Sequence, residues 1–273
     1  MAYYINGNRR NYFIEFGSGH PVVLLHGISN SGRAWAPQIM PLVEAGFRVI
    51  VPDHAGHGAS AKLDRPIGVS EIAADVLTLL DHLSIEVADI IGLSLGGMVA
   101  LEIALTQPQR VGKLIVANSF DTSATEEFRT MAEGWARTFR SEDGPVKRFE
   151  GIWPMNVNEA FRATAEGMKT YQVWHGLAAT ADGQSLANVA EGIVHFDATT
   201  RLASLSLPVL FIAGEQDKMS IPAVSRGMAD GVPDACYVEI QGAAHISNAD
   251  SAAAFNEAVI TFLGIASAST TSA

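Results

Sequence analysis

The sequence predicts an α/β protein built on a mostly parallel sheet of eight strands, with helices on both faces and an inserted helical cap. Three observations predict it. An opening pair of strands is followed by strand and helix patterns in alternation, which is how a parallel sheet covered on both sides is written. In the segment 88–100 an apolar strand around Ile90 and Ile91 runs into Gly92-Leu93-Ser94-Leu95-Gly96 and straight out into a helical pattern. The alternation stops at about residue 120, gives way to tryptophan-containing helical stretches, and resumes at about 207. The expected division is therefore a core of 1–119 and 207–264, a cap of 120–206 and a mobile tail of 265–273 made of small and polar residues.

Each element has a local reason. Segments 3–5 and 11–16 flank Asn6-Gly7-Asn8 and read as an antiparallel hairpin. Segment 22–26 is a continuous apolar strand ending at Gly27, and 35–45 is a helix. Segment 48–52 is a second buried strand, leading into the glycine-rich loop 53–60. Ser70 is placed to cap a helix whose Ile72, Val76, Leu79, Leu80 and Leu83 share one face. The strand 88–93, its helix and the strand 113–118 follow; after the cap come strand 208–213, helix 222–229, strand 236–240 and a closing helix 252–263.

Composition excludes several classes. At 273 residues, 48% hydrophobic and 17% charged, the chain can bury a large core and lacks the charge-rich signature of disorder. Eighteen basic against 29 acidic residues give a net charge of −11, which repels nucleic-acid backbones and anionic membranes. No apolar run reaches the roughly 18 residues of a membrane span. Cys236 is the single cysteine and no charged-then-apolar leader opens the chain, so a reducing cytoplasm is the expected compartment. Nothing in the sequence sets an oligomeric state.

The chemistry gathers at strand ends, where open parallel sheets bind ligands. Gly-x-Ser-x-Gly between strand and helix is a nucleophile elbow: small residues at 92 and 96 let backbones approach closely, and the strained turn pushes the Ser94 hydroxyl outward. Asp217 follows strand 208–213 and His245 follows strand 236–240, each after a short turn. A histidine can take the serine proton and a carboxylate can orient the imidazole. Glu215 and Asp121 are rival sources of the acid, and the order Ser, Asp, His along the chain favours Asp217. Backbone N–H groups of Leu95, just after the nucleophile, and Ile28, after the third strand, are the expected oxyanion donors. His26 reads as a structural residue tying its loop, and His54 and His57, without a cysteine or carboxylate framework, as loop packing rather than metal ligands. The chemistry requires no cofactor and no metal.

Over nearly its whole length the chain resembles the α/β-hydrolase superfamily, and within it 3-oxoadipate enol-lactonases and related small-molecule hydrolases. The resemblance rests on Val22-Val23-Leu24-Leu25-His26-Gly27, on 53–58, on Gly92 through Met98, on Ile212 through Asp217 and on Ala243 through Asn248. It implies a serine hydrolase that cleaves a small-molecule carboxylic ester or lactone through an acyl-enzyme. Other readings are a carbon–carbon bond or amide hydrolase with the same three residues, a perhydrolase, and a small-molecule receptor with little turnover. Trp135, Trp153 and Trp174 are candidate substrate contacts in the cap, although aromatic residues at helical spacing also serve as core. A carboxylated substrate would want a cation, for which Arg129, Arg137, Arg140, Lys147, Arg148 and Lys169 are candidates; the overall negative charge favours a neutral or weakly charged one.

Overall fold

Strands β1 (Ala2–Asn6) and β2 (Arg9–Phe16) form the expected hairpin, and β2 also pairs antiparallel with β4 (Phe47–Pro52). All other pairings are parallel, among β4, β3 (His20–Leu25), β5 (Ala88–Leu93), β6 (Val111–Ala117), β7 (Val209–Gly214) and β8 (Cys236–Ile240). The sheet order is β1-β2-β4-β3-β5-β6-β7-β8. This structure is a computed structural model and describes residues 2–264; the tail 265–273, expected to be mobile, lies outside the described residues.

Burial on both faces explains why the parallel strands read as unbroken apolar runs. Along β3, Val22 and Leu24 face one helical layer and Val23 and Leu25 the other, the period-two alternation of any strand. The first layer holds α1 (Ala36–Glu44) and α11 (Ala252–Gly264), whose Leu42, Phe255 and Val259 pack with Trp35. The second holds α2 (Val69–His82), α3 (Leu95–Thr106) and α9 (Pro222–Asp230). Helix α3 is apolar nearly all round because it lies buried between the sheet and α2. Its polar outlier, Glu102, meets Arg201 at 2.9 Å.

The start of α2 differs from expectation. Its N-cap is Gly68, and Ser70 lies inside the first turn. Glu71 supplies the cap instead, accepting the Gly68 N–H at 3.3 Å while its own N–H donates to the Gly68 carbonyl at 3.1 Å. The acidic residue at the third helical position outweighed the serine as a start signal.

Between β6 and β7 the chain forms five helices: α4 (Glu126–Phe139), α5 (Gly144–Asn156), α6 (Glu159–Arg162), α7 (Ala165–Thr180) and α8 (Gly183–Gly192). The antiparallel bridge Thr122–Asp197 closes the base of this cap. Side chains tie it to the core at Leu63, whose N–H donates to Ser185 Oγ (2.8 Å) and whose carbonyl accepts from Asn188 Nδ2 (2.9 Å). At the far side, the Ile246 N–H donates to the carbonyl of Asn156, the last residue of α5, at 2.8 Å.

Candidate active site

Ser94 stands at the turn from β5 into α3 with φ 54° and ψ −118°, a left-handed conformation that a serine adopts only under constraint. Its N–H donates to Ala117 O at 2.9 Å, and its carbonyl receives Gly97 N–H (2.9 Å) and Ser119 Oγ (2.7 Å). The two glycines of the motif are required by contact. A Cβ on Gly92 would lie 2.1 Å from Gly96 O, and one on Gly96 would lie 2.0 Å from Leu25 O.

The Ser94 hydroxyl lies 3.1 Å from His245 Nε2, and His245 Nδ1 lies 2.9 Å from Asp217 Oδ2. An ionised carboxylate only accepts, so Nδ1 carries a proton and donates to Asp217, which leaves Nε2 facing the hydroxyl. All three residues are buried, with Ser94 the most accessible at 8%. Burial pushes the Asp217 carboxyl up, but the His245 imidazole beside it, with hydrogen bonds from His245, Asn118 and the Met219 N–H, holds it below the ordinary carboxylate value. Among the described residues no other carboxylate hydrogen-bonds His245. Glu215 is exposed and accepts the Gly242 N–H at 2.8 Å, bracing the turn before the histidine. Asp121 sits at the cap base, its carbonyl receiving the Ala198 N–H.

The sequence did not reveal Asn118 as a partner. It follows β6 with φ 46°, donates Nδ2 to Asp217 Oδ2 at 3.0 Å, and is itself held by Ser247 Oγ at 2.6 Å. The available signal was its type: asparagine at a strand end tolerates positive φ better than most side chains. Ser220 completes the support, its N–H reaching Asp217 Oδ1 (3.0 Å) and its Oγ the Ser119 carbonyl (2.5 Å).

Leu95 and Ile28 border the same cavity as Ser94 and His245, and neither backbone N–H has an acceptor among the described residues. The loop carrying Ile28 rests on three clustered histidines whose rings meet tilted or edge to face. His26 Nε2 accepts the His54 N–H (3.0 Å), His57 Nε2 accepts the Ser29 N–H (3.1 Å), and His54 Nε2 bonds the His26 carbonyl (3.1 Å). Burial is the leading cause that lowers all three, His26 to about 4 and His57 to about 3, so the rings are neutral and their tautomers fixed. Asp53 adds a second tie, accepting Gly32 N–H (2.7 Å) and Ala59 N–H (2.8 Å).

About 50 Å³ of open space lies above Ser94, walled mainly by apolar side chains. Trp135 and Trp174 line it together with Met98, Phe128 and Phe149. Trp153 does not line it, a correction to its candidacy as a substrate contact. Its ring packs against Phe149, Tyr171 and Trp174 at 5.4–6.0 Å between centroids, so it serves as cap core. Arg148, on α5, does line the cavity, beneath the face of Trp135 at 4.5 Å. Desolvation lowers its guanidinium to about 10, so it remains charged at neutral pH.

Chemically, the arrangement places a hydroxyl, an imidazole oriented by a carboxylate, and two N–H donors without an acceptor among the described residues around one small cavity. No helix among the described residues is long and apolar enough to cross a membrane.

Comparison with known proteins agrees with the architecture. The family profile described as alpha/beta hydrolase fold matches residues 20–252. A protein named as a carbamate hydrolase, RutD, from Azorhizobium caulinodans is 30% identical over 268 residues, covering 97% of this chain and 98% of its own. The 3-oxoadipate enol-lactonase 2 of Acinetobacter baylyi is 31% identical, covering 90% of each chain. The crystal structure of the enol-lactonase from Burkholderia xenovorans LB400 superposes with a TM-score of 0.88 at 26% identity, over 96% of this chain and 99% of that one. With the eight-stranded sheet, the inserted cap and a profile match over most of the sequence, this chain belongs to the alpha/beta hydrolase fold family and is a hydrolase.

Proposed function

We propose that the protein hydrolyses a small-molecule carboxylic ester or lactone through an acyl-enzyme, with Ser94 as nucleophile, His245 as base and Asp217 as the acid that orients it. One observation carries this reading: the unbroken hydrogen-bonded chain from the Ser94 hydroxyl through His245 to Asp217, opening onto a cavity whose walls offer the unpaired N–H groups of Ile28 and Leu95. In the first half-reaction His245 Nε2 takes the Ser94 proton as Oγ bonds to the substrate carbonyl carbon. The carbonyl oxygen becomes an oxyanion held by the two N–H donors, which cost no reorganisation when the charge forms. Collapse breaks the bond to the leaving alkoxide, and His245 returns the proton to it. Water then adds with the same proton path, and the acid leaves.

Under this reading the core, 1–119 and 207–264, supplies the chemistry and the cap, 120–206, selects the substrate. Cytoplasmic residence, a small molecule as partner and no nucleic acid go with it. The relative named as a carbamate hydrolase favours a second reading, in which the scissile bond is a carbamate or amide.

The deciding experiment is hydrolysis of a panel of p-nitrophenyl esters, simple lactones and an aryl carbamate by the wild type and by Ser94→Ala. Fluorophosphonate labelling of Ser94 is read by mass spectrometry on the same preparations. Ester or lactone turnover that vanishes in the variant is expected, and turnover of the carbamate alone would install the second reading. A folded wild type that neither turns over any of them nor takes the label overturns both.

A further inference from the structure

Six cap cations were open to the sequence as anchors for an anionic substrate, and the structure separates one from the rest. Arg129, Arg137, Arg140 and Lys169 meet Glu126, Glu133, Glu191 and Glu166 at 2.5–4.0 Å. Lys147 Nζ donates to the Glu142 carbonyl at 2.6 Å. Arg148 has none of this. It is 6% exposed, its Nε and Nη2 atoms are buried with no hydrogen-bond partner, and no carboxylate stands within ion-pair distance of it among the described residues. Its surroundings are the rings of Trp135 and Phe139, at 4.5 and 5.8 Å.

A guanidinium cannot shed its proton to escape such a site, and aromatic faces answer its charge without accepting its N–H bonds. Buried donors left unpaired are costly, and natural proteins rarely tolerate them without a role. The group that would satisfy these donors is a planar anion with two acceptor oxygens, which the guanidinium fork matches bidentately. The cavity above Ser94 is where such a group would arrive, because Arg148 and Ser94 line the same space. The net charge of −11 does not oppose this, since surface charges are screened beyond roughly 8 Å in physiological salt, whereas Arg148 acts at contact.

We propose that Arg148 is a carboxylate-binding residue of the substrate pocket, so that the substrate carries a free carboxylate in addition to the carbonyl attacked by Ser94. This deepens the proposed function and rests on it for the identity of the scissile bond. The chemical class is a half-ester of a dicarboxylic acid, or a lactone bearing a carboxylate side chain. Trp135, stacked on the guanidinium, holds the fork in place for that contact.

The test compares hydrolysis of the monomethyl esters of succinate, glutarate and adipate with methyl 5-methylhexanoate, in which a branched alkyl end replaces the carboxylate of the glutarate ester. The wild type is expected to favour at least one half-ester by ~10–100-fold in kcat/KM, the scale of a charge-assisted bidentate contact. In Arg148→Met that ratio is expected to fall at least tenfold, with Arg148→Lys, a point charge without the fork, in between. A neutral ester preferred by the wild type, or an unchanged ratio in both variants, overturns the proposal. Should Arg148→Met fail to fold, calorimetric binding of succinate, glutarate and adipate to Ser94→Ala decides: saturable binding that weakens in the added presence of Arg148→Lys supports the site, and no binding of any of them sinks it. Absent turnover with Ser94 unlabelled by fluorophosphonate would defeat the hydrolase reading instead, and the binding arm would still judge Arg148.

Discussion

Asn118 and His245 share one oxygen: the asparagine amide and the imidazole N–H both donate to Asp217 Oδ2, at 3.0 and 2.9 Å. Asp217 Oδ1 is taken by the N–H groups of Met219 and Ser220. The carboxylate therefore cannot swing, and the imidazole it holds faces Ser94 in a single orientation.

Asn118 combines two roles that substitution can separate. Asn118→Ala loses the amide and must also hold a β-carbon at φ 46°, whereas Asn118→Gly loses the amide alone. Both variants are expected to lower kcat, by about tenfold, through a less firmly held carboxylate. Only the alanine variant should carry the further ~1 kcal/mol of backbone strain, read as a lower Tm than the glycine variant. Equal Tm values would show that the positive φ carries no strain here.

Ser94 offers the complementary experiment. Under the proposed mechanism both Ser94→Ala and Ser94→Gly abolish turnover, but glycine relieves the strained φ 54° while alanine retains it. Ser94→Gly is expected to melt above Ser94→Ala, by an amount matching about 1 kcal/mol, in calorimetric or fluorescence unfolding.

Acid should weaken the fold through the three clustered histidines. Burial keeps His26, His54 and His57 neutral, His26 down to about 4 and His57 to about 3, while in the unfolded chain they titrate near 6.5. Their contribution is fully present above about pH 6.5. It declines as pH falls from there toward 4 and 3, because the unfolded state takes up protons that the folded state refuses. Each histidine adds roughly 1.4 kcal/mol per pH unit to that slope. Urea unfolding between pH 7 and pH 4 should show it, and His57→Gln should flatten it by one proton.

The tryptophans divide by position. Trp153→Ala is expected to cost about 3–5 kcal/mol of stability, as for other large core truncations, because its ring sits among Phe149, Tyr171 and Trp174. Trp135→Ala should instead change the relative kcat/KM across esters of different acyl shape, since Trp135 borders the cavity and backs Arg148. A purely stability effect at Trp135 would remove it from the pocket.

What was legible in the sequence was what local chemistry decides. The elbow announces itself because Gly92 and Gly96 are forced by backbone contact, and the positions of Asp217 and His245 follow from apolar strands that end in short turns. The central strands could be read because burial on both faces leaves them largely apolar, and β1 and β2 because they flank Asn6-Gly7-Asn8. The cap was legible only as helix. Whether Trp153 or Trp135 faces the cavity, and which of six cations has neither an ion pair nor a hydrogen bond among the described residues, depends on how five helices pack against one another, which no local pattern encodes. Asn118 was hidden for the same reason, its partner lying 99 residues away in sequence.

The bond between Ile246 and Asn156 ties the cap to the turn that carries the base. Ile246 is the residue after His245, Asn156 ends α5, and Asp250 adds a second clasp by accepting both the Ala244 N–H and the Asn158 N–H. Moving the cap away at that edge would break these bonds beside His245, so the position of α5 and the turn that carries the imidazole are coupled on this side. Away from that edge, a groove of about 400 Å³ beside Tyr12 and Arg33 shares Ser29, Asn30 and Leu177 with the wall of the inner cavity. Ser29, Asn30 and Leu177 therefore border both spaces, and the wall between the groove and the cavity above Ser94 is no thicker than those residues.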